Sequence, residues 1–149
     1  MQRSLVGSEM CIRDRYKPEG EEFVITNGNK RFTRAIYGTN TGFRFETSDF
    51  PEFGLYMPNL GGSVYMAIST PSNITWIKDM EFIESRFKSG QRTYIVRDRR
   101  HLGNGSLTID AVAMSDGDGL VVRYKAKDIP AGTKILWIYG GSQQSEIRT

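Results

Sequence analysis

From Glu21 onward, apolar residues recur at every second position in short runs broken by glycine, proline, asparagine and aspartate. Side chains along a strand point alternately to opposite faces, so this pattern describes strands buried on one side and wet on the other. Phe23 and Ile25 alternate with Glu22, Val24 and Thr26, and Phe43 and Phe45 alternate with Arg44 and Glu46. Phe53, Leu55 and Met57 share a face, as do Val64, Met66 and Ile68, and the turn from Pro58 to Gly62 makes the two runs a hairpin. Leu107, Ile109, Ala111 and Ala113 precede the turn Asp116-Gly-Asp-Gly119, and Leu120, Val122 and Tyr124 follow it. Asn27-Gly28 is of the type that closes two-residue hairpins. The nearest thing to a helix, Trp76 to Phe87, is rich in β-branched and aromatic residues and reads as extended. The chain is therefore expected to be all-β, an antiparallel sandwich of about nine or ten strands ending with the run Thr133 to Tyr139.

The opening segment does not share the pattern. Charges at Glu9, Arg13, Asp14 and Arg15 interrupt every apolar stretch, so no secretory signal is present in it. Val6 to Asp14 resembles, residue for residue, one frame of a translated tagmentation sequencing adapter, and the likeness extends over residues 4–15. Residues 1–15 are thus expected to be non-native and disordered, residues 16–141 to form the sandwich, and residues 142–149 to be a polar tail or a cut continuation. Cys11, the only cysteine, falls in the adapter-like segment, which leaves no thiol for a disulfide, a nucleophile or a metal site. The net charge of +3 falls to +2 once Arg3, Arg13 and Arg15 are set against Glu9 and Asp14, too little to suggest nucleic acid. No apolar run reaches the ~18 residues of a membrane helix.

Few residues carry an obvious chemistry. His101 is alone, so neither a zinc site nor a cofactor is implied, and it reads as a loop residue in a Gly-rich turn. Asp116-Gly-Asp-Gly119 lacks the later oxygen ligands of a calcium loop and reads as a hairpin turn. Glu46, Asp49, Glu52, Asp79, Glu81 and Glu84 could supply the paired carboxylates of glycoside hydrolysis. Most of them lie on the polar side of a strand or at its end, where solvation accounts for them. Aromatic faces are better candidates, because they can stack against sugar C–H groups. Tyr56 and Tyr65 fall opposite Leu55, Met57, Val64 and Met66, so one hairpin presents both away from the core; Trp76, Trp137, Tyr139 and Tyr37 are further candidates.

The segments Phe23 to Arg44 and Asp49 to Gly62, with Asp116 to Arg123 and Trp137 to Gly141, resemble a domain-of-unknown-function family. Its members stand at the N-terminus of large exported proteins of polysaccharide-degrading bacteria. Those proteins are similar to six-hairpin glycosidases, in which a β-sandwich precedes an (α/α)6 catalytic toroid. The resemblance implies a non-catalytic module of a glycoside hydrolase-like protein, carbohydrate and a missing C-terminal catalytic domain as partners, and a periplasmic or extracellular location. It also implies that Tyr37-Gly-Thr-Asn-Thr-Gly-Phe-Arg44 closes one side of a sugar cleft, with Asn40 and Arg44 bonding hydroxyls. The candidate carbohydrate-binding residues are therefore Asn40, Arg44, Tyr56, Tyr65 and Trp76. A free-standing carbohydrate-binding module and a structural or partner-docking domain are the alternatives.

Overall fold

The computed structural model describes residues 15–38, 40–58 and 60–143. Most of the adapter-like segment and the tail from residue 144 lie outside the described residues. Within them are twelve strands: β1 (Lys17–Glu19), β2 (Glu22–Thr26), β3 (Arg34–Tyr37), β4 (Arg44–Thr47), β5 (Phe53–Met57), β6 (Leu60–Ser69), β7 (Ile74–Trp76), β8 (Phe82–Lys88), β9 (Gln91–Arg97), β10 (Ser106–Ala113), β11 (Leu120–Lys127) and β12 (Lys134–Gln143). A single 3-10 turn spans Ile77–Asp79, and a four-residue helix, α1, spans Arg99–Leu102. The strands exceed the expected number because β1 and β7 are three residues long, too short to display an alternation.

The strands form two antiparallel six-stranded sheets. The first runs β1-β2-β8-β9-β10-β11. The second runs β12-β6-β5-β4-β3, with β7 beside the far half of β6. On one side of β6, β5 pairs with Leu60 to Val64 and β7 with Ala67 to Ser69, while β12 follows the other side from end to end. The chain changes sheets after β2, β7 and β11.

One expected turn is different. Asn27-Gly28 does not close a hairpin, because β2 pairs with β8 and the chain then crosses to the other sheet. Asn27 takes a positive φ of 49° and prolongs the β2–β8 ladder instead. Its N–H donates to the Ile83 carbonyl at 2.8 Å and its Oδ1 accepts from the Ile83 N–H at 2.8 Å. Asparagine tolerates that conformation better than most residues, which is why it serves a sheet exit as readily as a hairpin.

The inner faces obey the alternation. Phe45, Phe53, Met66 and Ile68 from one sheet meet Ile83, Tyr94, Val96, Leu107, Ile109 and Ala111 from the other, all buried. Phe45 and Phe53 make an edge-to-face contact with ring centroids 5.7 Å apart. At the side of the sandwich Trp137 of β12 and Tyr124 of β11 meet edge to face at 5.0 Å, bridging the two edge strands. Burial pushes the Tyr124 phenol pKa up.

Candidate functional site

The alternation that buries Phe45, Phe53 and Met66 turns Arg44, Glu46, Tyr56 and Tyr65 to the outer face of the second sheet. Arg44 and Tyr56 are cross-strand partners, and the guanidinium carbon stands 4.0 Å from the ring centroid. Arg44 Nε also lies 3.3 Å from Glu46 Oε1, so the cation is held over the ring from one side. Tyr37, partnered with Arg44 across β3–β4, completes the row and is 68% exposed. Tyr56 pairs with Gly61, and Tyr65 comes four residues further along β6, on the order of 13 Å away at strand rise. Trp76 of β7 pairs with Ala67 on the same face, and its ring meets Tyr65 edge-on at 6.2 Å. The outcome is an aromatic track across one sheet face.

At the Tyr65–Trp76 end, Arg31 and Lys78 join the two rings to line a shallow cleft of about 290 Å³. Both cations reach the carboxylate of Glu52, which is buried: Arg31 Nη2 is 3.0 Å from Oε2 and Lys78 Nζ is 3.7 Å from Oε1. Glu52 thus fixes two cationic side chains beside an aromatic corner. The outer surface of Gly54 is occupied by Phe32, since a Cβ there would come 3.0 Å from the ring.

A second polar assembly lies between the sheets. Asp49 and Arg92 are both fully buried, with Arg92 Nη2 3.7 Å from Asp49 Oδ1. Asp49 also accepts from the Lys30 N–H at 3.0 Å and from the Tyr16 hydroxyl. Arg92 donates to the Ser48 carbonyl at 2.6 Å and to Thr33 Oγ1 at 3.2 Å, and it bonds Tyr16 as well. Tyr94 donates to the same Ser48 carbonyl at 2.9 Å, and burial pushes its phenol pKa up. Arg34 stands 5.9 Å and Arg92 5.2 Å from the Tyr16 ring centroid. In front of this assembly opens a wider cleft of about 570 Å³, whose walls include Lys30, Arg31, Arg34 and Tyr16.

His101 is not a loop residue. It belongs to α1 and is nearly buried, with Nδ1 2.9 Å from Asp98 Oδ1 and Nε2 2.9 Å from Thr75 Oγ1. The sequence Thr–His–Asp has the connectivity of a nucleophile, base and orienting acid. Its surroundings give it a different use. Asp98 is the N-cap of α1, accepting from the Arg100 and His101 N–H groups at 2.9 Å, and its Oδ2 accepts from the Glu81 N–H at 3.1 Å. The neighbouring cleft is lined by Asp98, Glu81, Arg97 and the Gly103–Gly105 turn, and Thr75 is not among its walls. The chain of bonds ties β7 of one sheet to α1 at the end of the other.

Of the residues singled out from the sequence, Tyr56, Tyr65, Trp76 and Arg44 share the outer face of the second sheet. Asn40 is exposed in the β3–β4 connection. Trp137 packs against Tyr124 and is not part of the track. Tyr139 lies over Gly62 and Gly141, where a Cβ would come 2.7 Å and 2.6 Å from its ring and hydroxyl. Asp49 and Glu52, read as solvated, are buried and held by cations. The alternation could not show this, because both fall in the bend between β4 and β5. Arg31, Lys78 and Arg92 were missed; Arg92 alone left a signal, standing at the inward parity of Tyr94 and Val96. Among the described residues no group of three or more His, Cys, Asp or Glu is placed to hold a metal ion. No described helix is long and apolar enough to cross a membrane.

Fold and site together define an antiparallel β-sandwich that carries an aromatic, cation-flanked track on one sheet. The chain belongs to the family described as domain of unknown function (DUF4450), whose model matches residues 57–147, from the end of β5 through β12. No curated protein and no solved structure matches it.

Proposed function

We propose that this sandwich is a non-catalytic module of a glycoside hydrolase-like protein of the periplasm or cell exterior, and that the outer face of its second sheet holds carbohydrate. The observation that carries the reading is the placement of Tyr56, Tyr65 and Trp76 on one sheet face. Flat rings on a rigid strand framework match the C–H faces of sugar rings, while fixed charged groups beside them bond hydroxyls. Arg44 over Tyr56, and Arg31 and Lys78 around Glu52, are such groups. Catalysis falls to a separate domain in this reading, because the buried carboxylates Asp49 and Glu52 are each engaged by cations.

Docking against a catalytic domain is a second reading, favoured by Phe32, Ile74 and Ile138, which are exposed and apolar. Affinity electrophoresis in gels containing soluble polysaccharides separates the two. Sugar binding predicts retardation in at least one gel, weakened about tenfold by Trp76→Ala or Tyr65→Ala with the melting temperature unchanged. A chain that no polysaccharide retards would leave docking as the role of this face.

A further inference from the structure

The two clefts described above share one wall, Arg31. The crossover from β2 to β3 supplies Lys30 and Arg31, Arg34 opens β3, and Lys78 comes from the 3-10 turn after β7. Segments distant in sequence thus bring four cations, besides Arg15 of the adapter-like segment, to the walls of two clefts that meet at Arg31. The anions beside them are few and already engaged. Asp49 is neutralised by buried Arg92, and Glu52 shares its single charge between Arg31 and Lys78. The surface therefore has an excess of positive charge that the protein's own carboxylates do not cancel. Lys30 binds Asp49 through its backbone N–H, and the residue is exposed at the wall of the wider cleft.

We propose that this surface selects acidic saccharides, with the carboxylates of a uronic acid polymer as the groups recognised; the inference rests on the carbohydrate reading above. A uronate ring offers a C–H face and one carboxylate on the same unit. The aromatic pair Tyr65 and Trp76 meets the first, and Arg31 and Lys78 at the rim of the same cleft meet the second. Guanidinium is suited to carboxylate because its fork can give two parallel hydrogen bonds. The wider cleft, with Lys30 and Arg34, takes the next acidic units of the chain. A nucleic acid would make less of this surface. The rings at the aromatic corner meet edge to face at 72° instead of forming a stacking ladder, and the whole chain carries a net charge of only +3.

Titration calorimetry of the full chain with polygalacturonate, neutral galactan and oligothymidylate tests the proposal, alongside Lys30→Gln and Lys78→Gln. These side chains are partly or wholly solvent-facing, and circular dichroism melts check that both variants fold. The expected result is polygalacturonate binding about tenfold tighter than galactan, weakened several-fold by each variant and by added salt. Equal binding of the acidic and neutral polymers, unmoved by the variants, overturns the acidic preference and leaves the carbohydrate reading standing. Oligothymidylate binding as tight as polygalacturonate also overturns it, in favour of general polyanion attraction. Failure to bind polygalacturonate overturns the acidic preference whatever the neutral polymer does, and the carbohydrate reading is then decided by the gel series above.

Discussion

Arg92 sits on the inner face of β9, at the parity otherwise occupied by Tyr94 and Val96, with none of its surface in water. A guanidinium stays charged in a protein, so burial must be offset by partners on the spot. Asp49, the Ser48 carbonyl, Thr33 and Tyr16 provide them through Nη2, while Nε and Nη1 have no partner among the described residues. Taking away one member of such a pair exposes the other to an environment that cannot solvate it. Arg92→Leu is expected to destabilise the fold by about 3–5 kcal/mol in urea denaturation. Adding Asp49→Leu should restore part of that loss, because the stranded carboxylate goes too. A single variant costing under about 1 kcal/mol would mean the pair is not closely coupled. The period-two pattern, followed strictly, places Arg92 inside. Its partners were not legible, since Tyr16, Thr33 and Ser48 lie in connections that carry no period.

The four-residue α1 shows how a short element depends on its caps. Too short to hold itself together, it is kept by Asp98, which accepts the first free N–H groups and also orients His101 toward Thr75. Burial pushes the Asp98 carboxyl up, but the Glu81 and His101 N–H groups and the His101 ring together bring it below the usual carboxylate range. Asp110 behaves alike: burial raises it, and hydrogen bonds from Arg123 and Thr93 more than reverse that. A carboxyl whose folded pKa is depressed contributes stability above its unfolded value, near pH 4, and that stability fades as pH falls through the folded value. Unfolding free energy should therefore fall as pH is lowered from about 4.5 toward 3, and Asp98→Asn should flatten that slope. A variant with the wild-type slope would show that Asp98 is not among the groups responsible. Elements with at least two inward residues, such as β4, β5 and β10, were readable. α1 and β7 were not, because they are held by tertiary hydrogen bonds and not by a repeating pattern.

The two sheets have no separate cores. Each contributes one face to a single buried layer, and the polar bonds from Tyr94 and Arg92 to Ser48 cross the same gap. Trp137 against Tyr124 joins them again along one side, and Thr75 to His101 at one end. Neither sheet can leave without exposing the inner face of the other, so they should unfold together. This is accessible to measurement because both tryptophans, Trp76 and Trp137, belong to the second sheet, whereas backbone circular dichroism reports on both sheets. Coincident urea transitions by tryptophan fluorescence and far-ultraviolet dichroism are expected. Phe53→Ala removes a ring shared between Phe45 and Tyr94, and should lower the common midpoint by about 3–5 kcal/mol of stability without splitting the curves. Two separated transitions, with fluorescence leading or lagging, would mean that the second sheet comes apart on its own. The aromatic track would then stand on a sheet that is not held rigid by the first, and its rings would bind sugar only after an ordering step that weakens affinity.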